Sequence, residues 1–283
     1  MNETTRPATY HEEVAQYTKK DAIHALLYAA YLGLFGVFVW WFNVAFGFFV
    51  DGEITFAGQL IGLPMVLLLG LAPALIILKK KGQTLRSVGL HLTNWKKSLL
   101  AGLCFIVIII ILASVLPGLF FGWRLASPAM IIWLVVYLLI MAFWEDVVFI
   151  GFIQTRIYGL VEKDFWAIAL GGFLFAAVHY PNLFIRHFSD GGLFDFDLLI
   201  WVLTITLGWI MLHVAFNYTF RGFRSIIPVT LLHISANMAM RADLWYYTGG
   251  SSHNEFMLQG ITMFAAFFII PAIFLWRKKQ TAK

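Results

Sequence analysis

Glu145 and Asp146 in WEDVVFIGF, His179 in FAAVHYPN, and His233 with Asn237 in LLHISANM are polar side chains set inside otherwise apolar runs. An ionisable group is costly in hydrocarbon, so its presence there is a functional-site hypothesis by default. A carboxylate, two imidazoles and a carboxamide supply a general base, a proton carrier and neutral hydrogen-bond donors. That is enough to activate a water and hold a developing oxyanion without a covalent nucleophile. Hydrolysis of an amide fits the set best. Ser235 is the nearest hydroxyl, but at two residues from His233 it faces another side of a helix. A glutamate with two histidines is also a catalytic zinc set, and that rival reading stays open although no H-E-x-x-H spacing occurs. Taken singly, each residue has a plainer use: Glu145 as an interhelical hydrogen-bonding group, His179 and His233 as packing residues.

These residues need elements that hold them at one depth. Of the 283 residues 61% are hydrophobic and 12% charged, and the mean hydropathy is +0.81, which excludes an ordinary soluble domain and defines a polytopic, all-α membrane protein. The net charge of +5 is modest, and no nucleic acid partner is expected. Apolar segments at about 23–50, 57–78, 98–121, 129–157, 165–181, 197–220, 226–241 and 256–276 predict about eight transmembrane helices around a polar intramembrane cavity. The expected organisation is a polar cytoplasmic N-terminus at 1–22, a single membrane domain at 23–276 and a basic cytoplasmic tail at 277–283. The first twenty residues lack the pattern of a cleaved signal peptide. Cys104, the single cysteine, lies in the run LLAGLCFIVIII and reads as a buried packing residue.

Lys and Arg distribution sets the orientation. With both ends inside, the inner side takes Arg6, Lys19, Lys20, Lys79, Lys80, Lys81, Arg86, Lys96, Lys97, Arg156, Lys163, Arg221, Arg224, Arg277, Lys278, Lys279 and Lys283. The outer side takes only Arg124, Arg186 and Arg241, as the positive-inside rule requires. The expected location is therefore the cell membrane, multi-pass, with both termini cytoplasmic. At ~1.5 Å per residue, Glu145 lies about 16 Å, His179 about 22 Å, His233 about 14 Å and Asn237 about 20 Å from the cytoplasmic edge. All sit near mid-membrane. Phe175 with His179, and His233 with Asn237, are i,i+4 pairs that share a helix face.

The run Glu145-Asp146-Val147-Val148-Phe149-Ile150-Gly151-Phe152-Ile153-Gln154 resembles the E-E-x-x-F-R-G-x-x-Q motif of the CPBP (CAAX protease and bacteriocin-processing, Abi) intramembrane proteases, relatives of the Ras-converting CAAX endopeptidases. Phe175 to His179 is similar to that family's F-x-x-x-H, and His233 to Asn237 to its H-x-x-x-N, in the same order. Ser87-Val88-Gly89-Leu90 and Arg221-Gly222 through Pro228 extend the likeness, which covers roughly 85–240. The resemblance implies an eight-helix fold and a glutamate-dependent endopeptidase. In it Glu145 and His179 activate water and His233 and Asn237 stabilise the oxyanion. Asp146, Phe149 and Phe175 would support them, and the substrate would be a peptide or membrane protein within the lipid bilayer. No cofactor is expected, with zinc as the open alternative.

Two departures mark the chain. The family's second glutamate is Asp146, and its arginine is Ile150, which removes a cation that could have paired with the aspartate across an i,i+4 step. Either Asp146 is protonated or another donor satisfies it. A catalytically inert scaffold is therefore the alternative function, and a proton-coupled transporter a further one. His213 and Asn217 also read H-x-x-x-N but lack the Ile-Pro-x-x-Leu-Leu lead-in, and are assigned to packing or substrate contact. Trp40, Trp41, Trp245, Tyr246 and Tyr247 read as interfacial anchors.

Overall fold

The structure, a computed structural model, describes residues 10–50, 53–115, 123–189, 196–239 and 245–247, with Leu119, Gly192 and Phe194 besides. A short helix α1 (Tyr10–Val14) leads into α2 (Lys19–Ala45), whose start is fixed by a capping box between Thr18 and Asp21. A two-rung antiparallel ladder of β1 (Phe49–Val50) and β2 (Glu53–Ile54) turns the chain into α3 (Phe56–Lys80). Within α3, Pro64 cannot donate to the carbonyl one turn back, and the helix loosens into a π-wound stretch, Val66–Leu71, directly after it. A 3-10 turn at Leu85–Val88 precedes α4 (Trp95–Ile110), which continues π-wound through Val115.

The second half begins with β3 (Trp123–Leu125) and α5 (Pro128–Ile157), capped by the Ser127 hydroxyl. It continues through α6 (Asp164–Ala177), α7 (Tyr180–Ser189), α8 (Phe196–Phe223) and α9 (Ile226–Ala239). The last described element is β4 (Trp245–Tyr247), antiparallel to β3, so the aromatic triplet expected as an anchor is part of a ladder. Helix α9 packs on α4, α5 and α8, and α8 on α6.

Among the described residues, α2, α3, α5 and α8 are long and apolar enough to cross a membrane, while α6 and α9 are shorter apolar helices. The expected count of eight is thus met only in part, because α6 ends at Ala177, well short of a full span, and the expected span at 256–276 lies outside the described residues, as do the tail at 277–283 and residues 1–9. Large apolar side chains cover the outer faces, with Leu34 72% and Leu207 62% exposed, an arrangement that needs lipid rather than water around it. Cys104 is one of these outward residues rather than a buried one, since the apolar run around it faces out on that side of α4.

The cytoplasmic-side residues of the sequence reading are tied together from several elements. Gly89 holds φ at +79° and accepts from the Ile226 amide at 3.2 Å, and a Cβ there would strike the Phe220 ring, so only glycine lets the 3-10 turn lie against the start of α9. Arg156, which the charge count treated as a loop residue, is 1% exposed. Its guanidinium donates to Gly151 O at 2.9 Å, Gln83 Oε1 at 2.7 Å and Ser87 Oγ at 3.0 Å, and lies over the Tyr17 ring at 4.5 Å. The Arg221 and Arg224 guanidiniums lie 4.6 and 4.9 Å from the Tyr10 ring, and burial holds its phenol above the ordinary tyrosine range in spite of those two cations.

Candidate active site

Glu145 and Asp146 end the α-helical part of α5, and the next eight residues, Val147–Gln154, are π-wound and all buried. This stretch is apolar on every side except at Gln154, as a helix enclosed by others must be. The widened turn also changes which residues share a face. The i,i+4 step expected to set Ile150 over Asp146 assumed 3.6 residues per turn, whereas Ile150 is 1% exposed within the apolar core.

The cation missing at 150 is replaced by an imidazole from another helix. His233, on α9, has Nδ1 3.0 Å from Asp146 Oδ1. Since an ionised carboxylate can only accept, Nδ1 carries the proton of this bond. The other ring nitrogen, Nε2, faces Glu145 Oε2 at 3.7 Å, too far for a hydrogen bond and wide enough for a third oxygen to sit beside both. Asp146 and His233 are each 1% exposed, while the Glu145 side chain is 15% exposed. The file Asp146–His233–Glu145 therefore runs from the core toward a cavity of about 170 Å³.

Glu145 and His179 line that cavity together, with apolar walls from Leu32, Phe35, Val39, Met141 and Trp144. His179 lies just beyond the end of α6 and bonds through Nδ1 to Phe175 O at 2.7 Å, which leaves Nε2 as the nitrogen available to a ligand. Phe175 is the hub of the site. Its ring meets Phe149 at 5.2 Å, His179 at 5.1 Å and His233 at 6.1 Å, so the two supporting phenylalanines separate the polar groups from the rest of the core. Asn237 follows His233 by one turn on α9, half-buried, and its amide makes no hydrogen bond to another described residue. Ser235 is fully buried and spends its hydroxyl on Leu232 O at 2.6 Å. Among the described residues, no group of three or more His, Cys, Asp or Glu side chains is arranged to hold a metal ion.

The pair His213 and Asn217 makes no hydrogen bond to these polar groups, although the His213 ring lies 6.0 Å from that of Phe175. His213 is fully buried and bonds through Nε2 to Gln154 Oε1 at 2.7 Å, and Gln154 Nε2 donates to Ala167 O at 3.2 Å. The motif glutamine thus cross-links α5, α6 and α8. Sequence reasoning missed two neighbours: Gln154, whose place in the motif was a usable signal, and Trp209 on α8, whose ring stacks on His179 at 4.4 Å and 15°.

The arrangement is a carboxylate and imidazole cluster enclosed by apolar helices of a membrane protein. Residues 127–239 match the family model described as Rce1-like, Type II CAAX prenyl endopeptidase Rce1-like. The match begins at the Ser127 cap of α5 and ends with the last residue of α9, so it takes in Glu145, Asp146, His179, His233 and Asn237 but not the cavity walls from α2. No curated protein matches the chain.

Proposed function

We propose that this chain is an intramembrane endopeptidase that hydrolyses a peptide bond with water activated by Glu145 and His179. The observation that carries the reading is the file Asp146–His233–Glu145 opening on the cavity that His179 also lines. A water between the Glu145 carboxylate and His179 Nε2 gives its proton to Glu145 as its oxygen attacks the scissile carbonyl. Asn237, with an uncommitted amide, and His233, through Nε2 when both ring nitrogens are protonated, donate to the oxyanion. Collapse breaks the C–N bond, and the departing amine takes the proton held on Glu145, which returns the site to its starting state. Apolar cavity walls and the CAAX endopeptidase activity of the matched family together favour a CAAX-type substrate, a peptide or membrane-protein C-terminus delivered through the lipid bilayer. Both termini face the cytoplasm of the cell membrane in this reading.

The test uses the purified full chain in lipid nanodiscs with an internally quenched peptide ending in a farnesylated CAAX sequence, beside its unprenylated twin. Glu145→Gln, His179→Ala and His233→Ala should abolish cleavage with the protein still inserted. Asn237→Ala should lower kcat on the order of a hundredfold, the usual effect of losing one oxyanion donor. Ser235→Ala and Cys104→Ala should cleave like wild type. Activity lost on chelation and restored by zinc would favour the metal reading. A cellular phenotype rescued equally by wild type and Glu145→Gln would promote the inert scaffold.

A further inference from the structure

Of the four proposed catalytic residues, His179 alone lies outside a helix: α6 stops at Ala177 and α7 starts at Tyr180. Its backbone is tied by His179 N to Ala176 O at 3.0 Å and Leu183 N to His179 O at 3.2 Å, which leaves the ring plane to be set from elsewhere. The bond from Nδ1 to Phe175 O fixes one nitrogen but permits rotation about that contact. Trp209 removes the freedom, lying face to face with the imidazole at 4.4 Å and 15°, while its own ring meets Phe175 edge-on at 5.3 Å. One turn earlier on α8, Thr206 Oγ1 shares a 2.7 Å hydrogen bond with the hydroxyl of Tyr180, the residue after His179. Helix α8 therefore holds two consecutive residues of the broken segment at two points on one face.

We propose that Trp209 is a positioning residue for His179, an assignment that rests on the hydrolytic reading above. The stack and the Phe175 carbonyl together present Nε2 to the cavity in one orientation. In that orientation Nε2 faces the water whose proton passes to Glu145, so the stack keeps the attacking oxygen aligned.

Two measurements on the full chain in lipid nanodiscs test this. In the first, NMR of histidine-labelled protein reads the His179 ring signals, assigned by their disappearance in His179→Asn. The indole should displace them upfield, Trp209→Leu should return them to the ordinary range, and Trp209→Phe should keep much of the displacement. In the second, with the farnesylated quenched peptide, Trp209→Leu should lower kcat on the order of a hundredfold at unchanged KM, and Trp209→Phe should recover most of it. Thr206→Val, a smaller change that guards against a misfolded leucine variant, should lower kcat about fivefold, as for one lost hydrogen bond. Undisplaced His179 signals in wild type, or a Trp209→Leu enzyme with wild-type kcat or with a raised KM alone, overturn the proposal. Peptide left equally intact by wild type and Glu145→Gln sinks the hydrolytic reading instead, and the NMR result then still decides whether Trp209 holds the ring.

Discussion

With Nδ1 bonded to Asp146 and Nε2 3.7 Å from Glu145, the His233 ring is held between two carboxylates that differ in access, one sealed in the core and the other open to the cavity. Asp146 fixes one ring nitrogen through that bond, a contact the shorter side chain makes without a neighbouring arginine. Asp146→Asn keeps an acceptor of the same shape and loses the charge. It should therefore lower kcat by about 1.5–3 kcal/mol, on the order of ten- to a hundredfold, and not abolish cleavage, measured with the quenched peptide at saturating concentration. Glu145, Asp146, His179, His233 and Asn237 could be singled out in the sequence because such groups are rare in apolar runs, and the structure draws Asp146, His233 and Glu145 into one file, with His179 lining the same cavity as Glu145. Trp209 could not be singled out that way. An aromatic residue in a membrane segment is ordinary, and only the break after Ala177 gives this one a ring to stack on.

The π-wound half-turns of α5 bring Gln154 inward, where it joins three helices through His213 and Ala167 O. Gly171 on α6 makes room for that link, since a Cβ there would stand 1.8 Å from Gln154 Oε1 and 2.7 Å from His213 Nε2. Gly171→Ala should therefore force the pair apart. His213→Ala should leave a buried amide oxygen unpaired, a loss of about 1–3 kcal/mol. Both variants should melt below wild type in detergent, followed by fluorescence, with Gly171→Ala the lower. A His213→Ala protein that melts with wild type would show the cross-link to be inconsequential. Hydropathy found the helices because their apolar length is set by the bilayer, yet it could not see the change of winding at Val147, which has no compositional signature. The same blindness explains the i,i+4 pairing expected for Ile150, and the continuous span expected through His179, where the chain forms two helices.

On the scale of the whole molecule, the seven charges at Lys79, Lys80, Lys81, Arg86, Lys96, Lys97 and Lys163 support placing the 3-10 turn and the start of α4 on the cytoplasmic side. Arg156 drops out of that argument, being buried against Gln83 and Ser87, but its loss leaves the asymmetry intact. A reporter inserted near Gly89, and one fused after Lys283, should both read cytoplasm, and one near Gly191 should read outside. An external signal at Gly89 would reverse the assigned orientation. The span count was the least legible part of the fold, because α6 and α9 are too short to register as full crossings, although they carry Phe175, His233 and Asn237.

The bond between His233 and Asp146 joins residues 87 apart in the chain. At roughly 5–20 residues per second of synthesis, α5 emerges many seconds before its partner exists. During that interval two adjacent carboxylates must rest in a segment bound for the bilayer centre, where each is unfavourable by about 2.5–3.5 kcal/mol. The long apolar stretch of Pro128–Ile157 offsets this and lets the segment insert alone. Completion of the Asp146–His233 contact is thus a late event in biogenesis, and the growing chain passes through a stage in which both carboxylates are in the membrane without their imidazole partner.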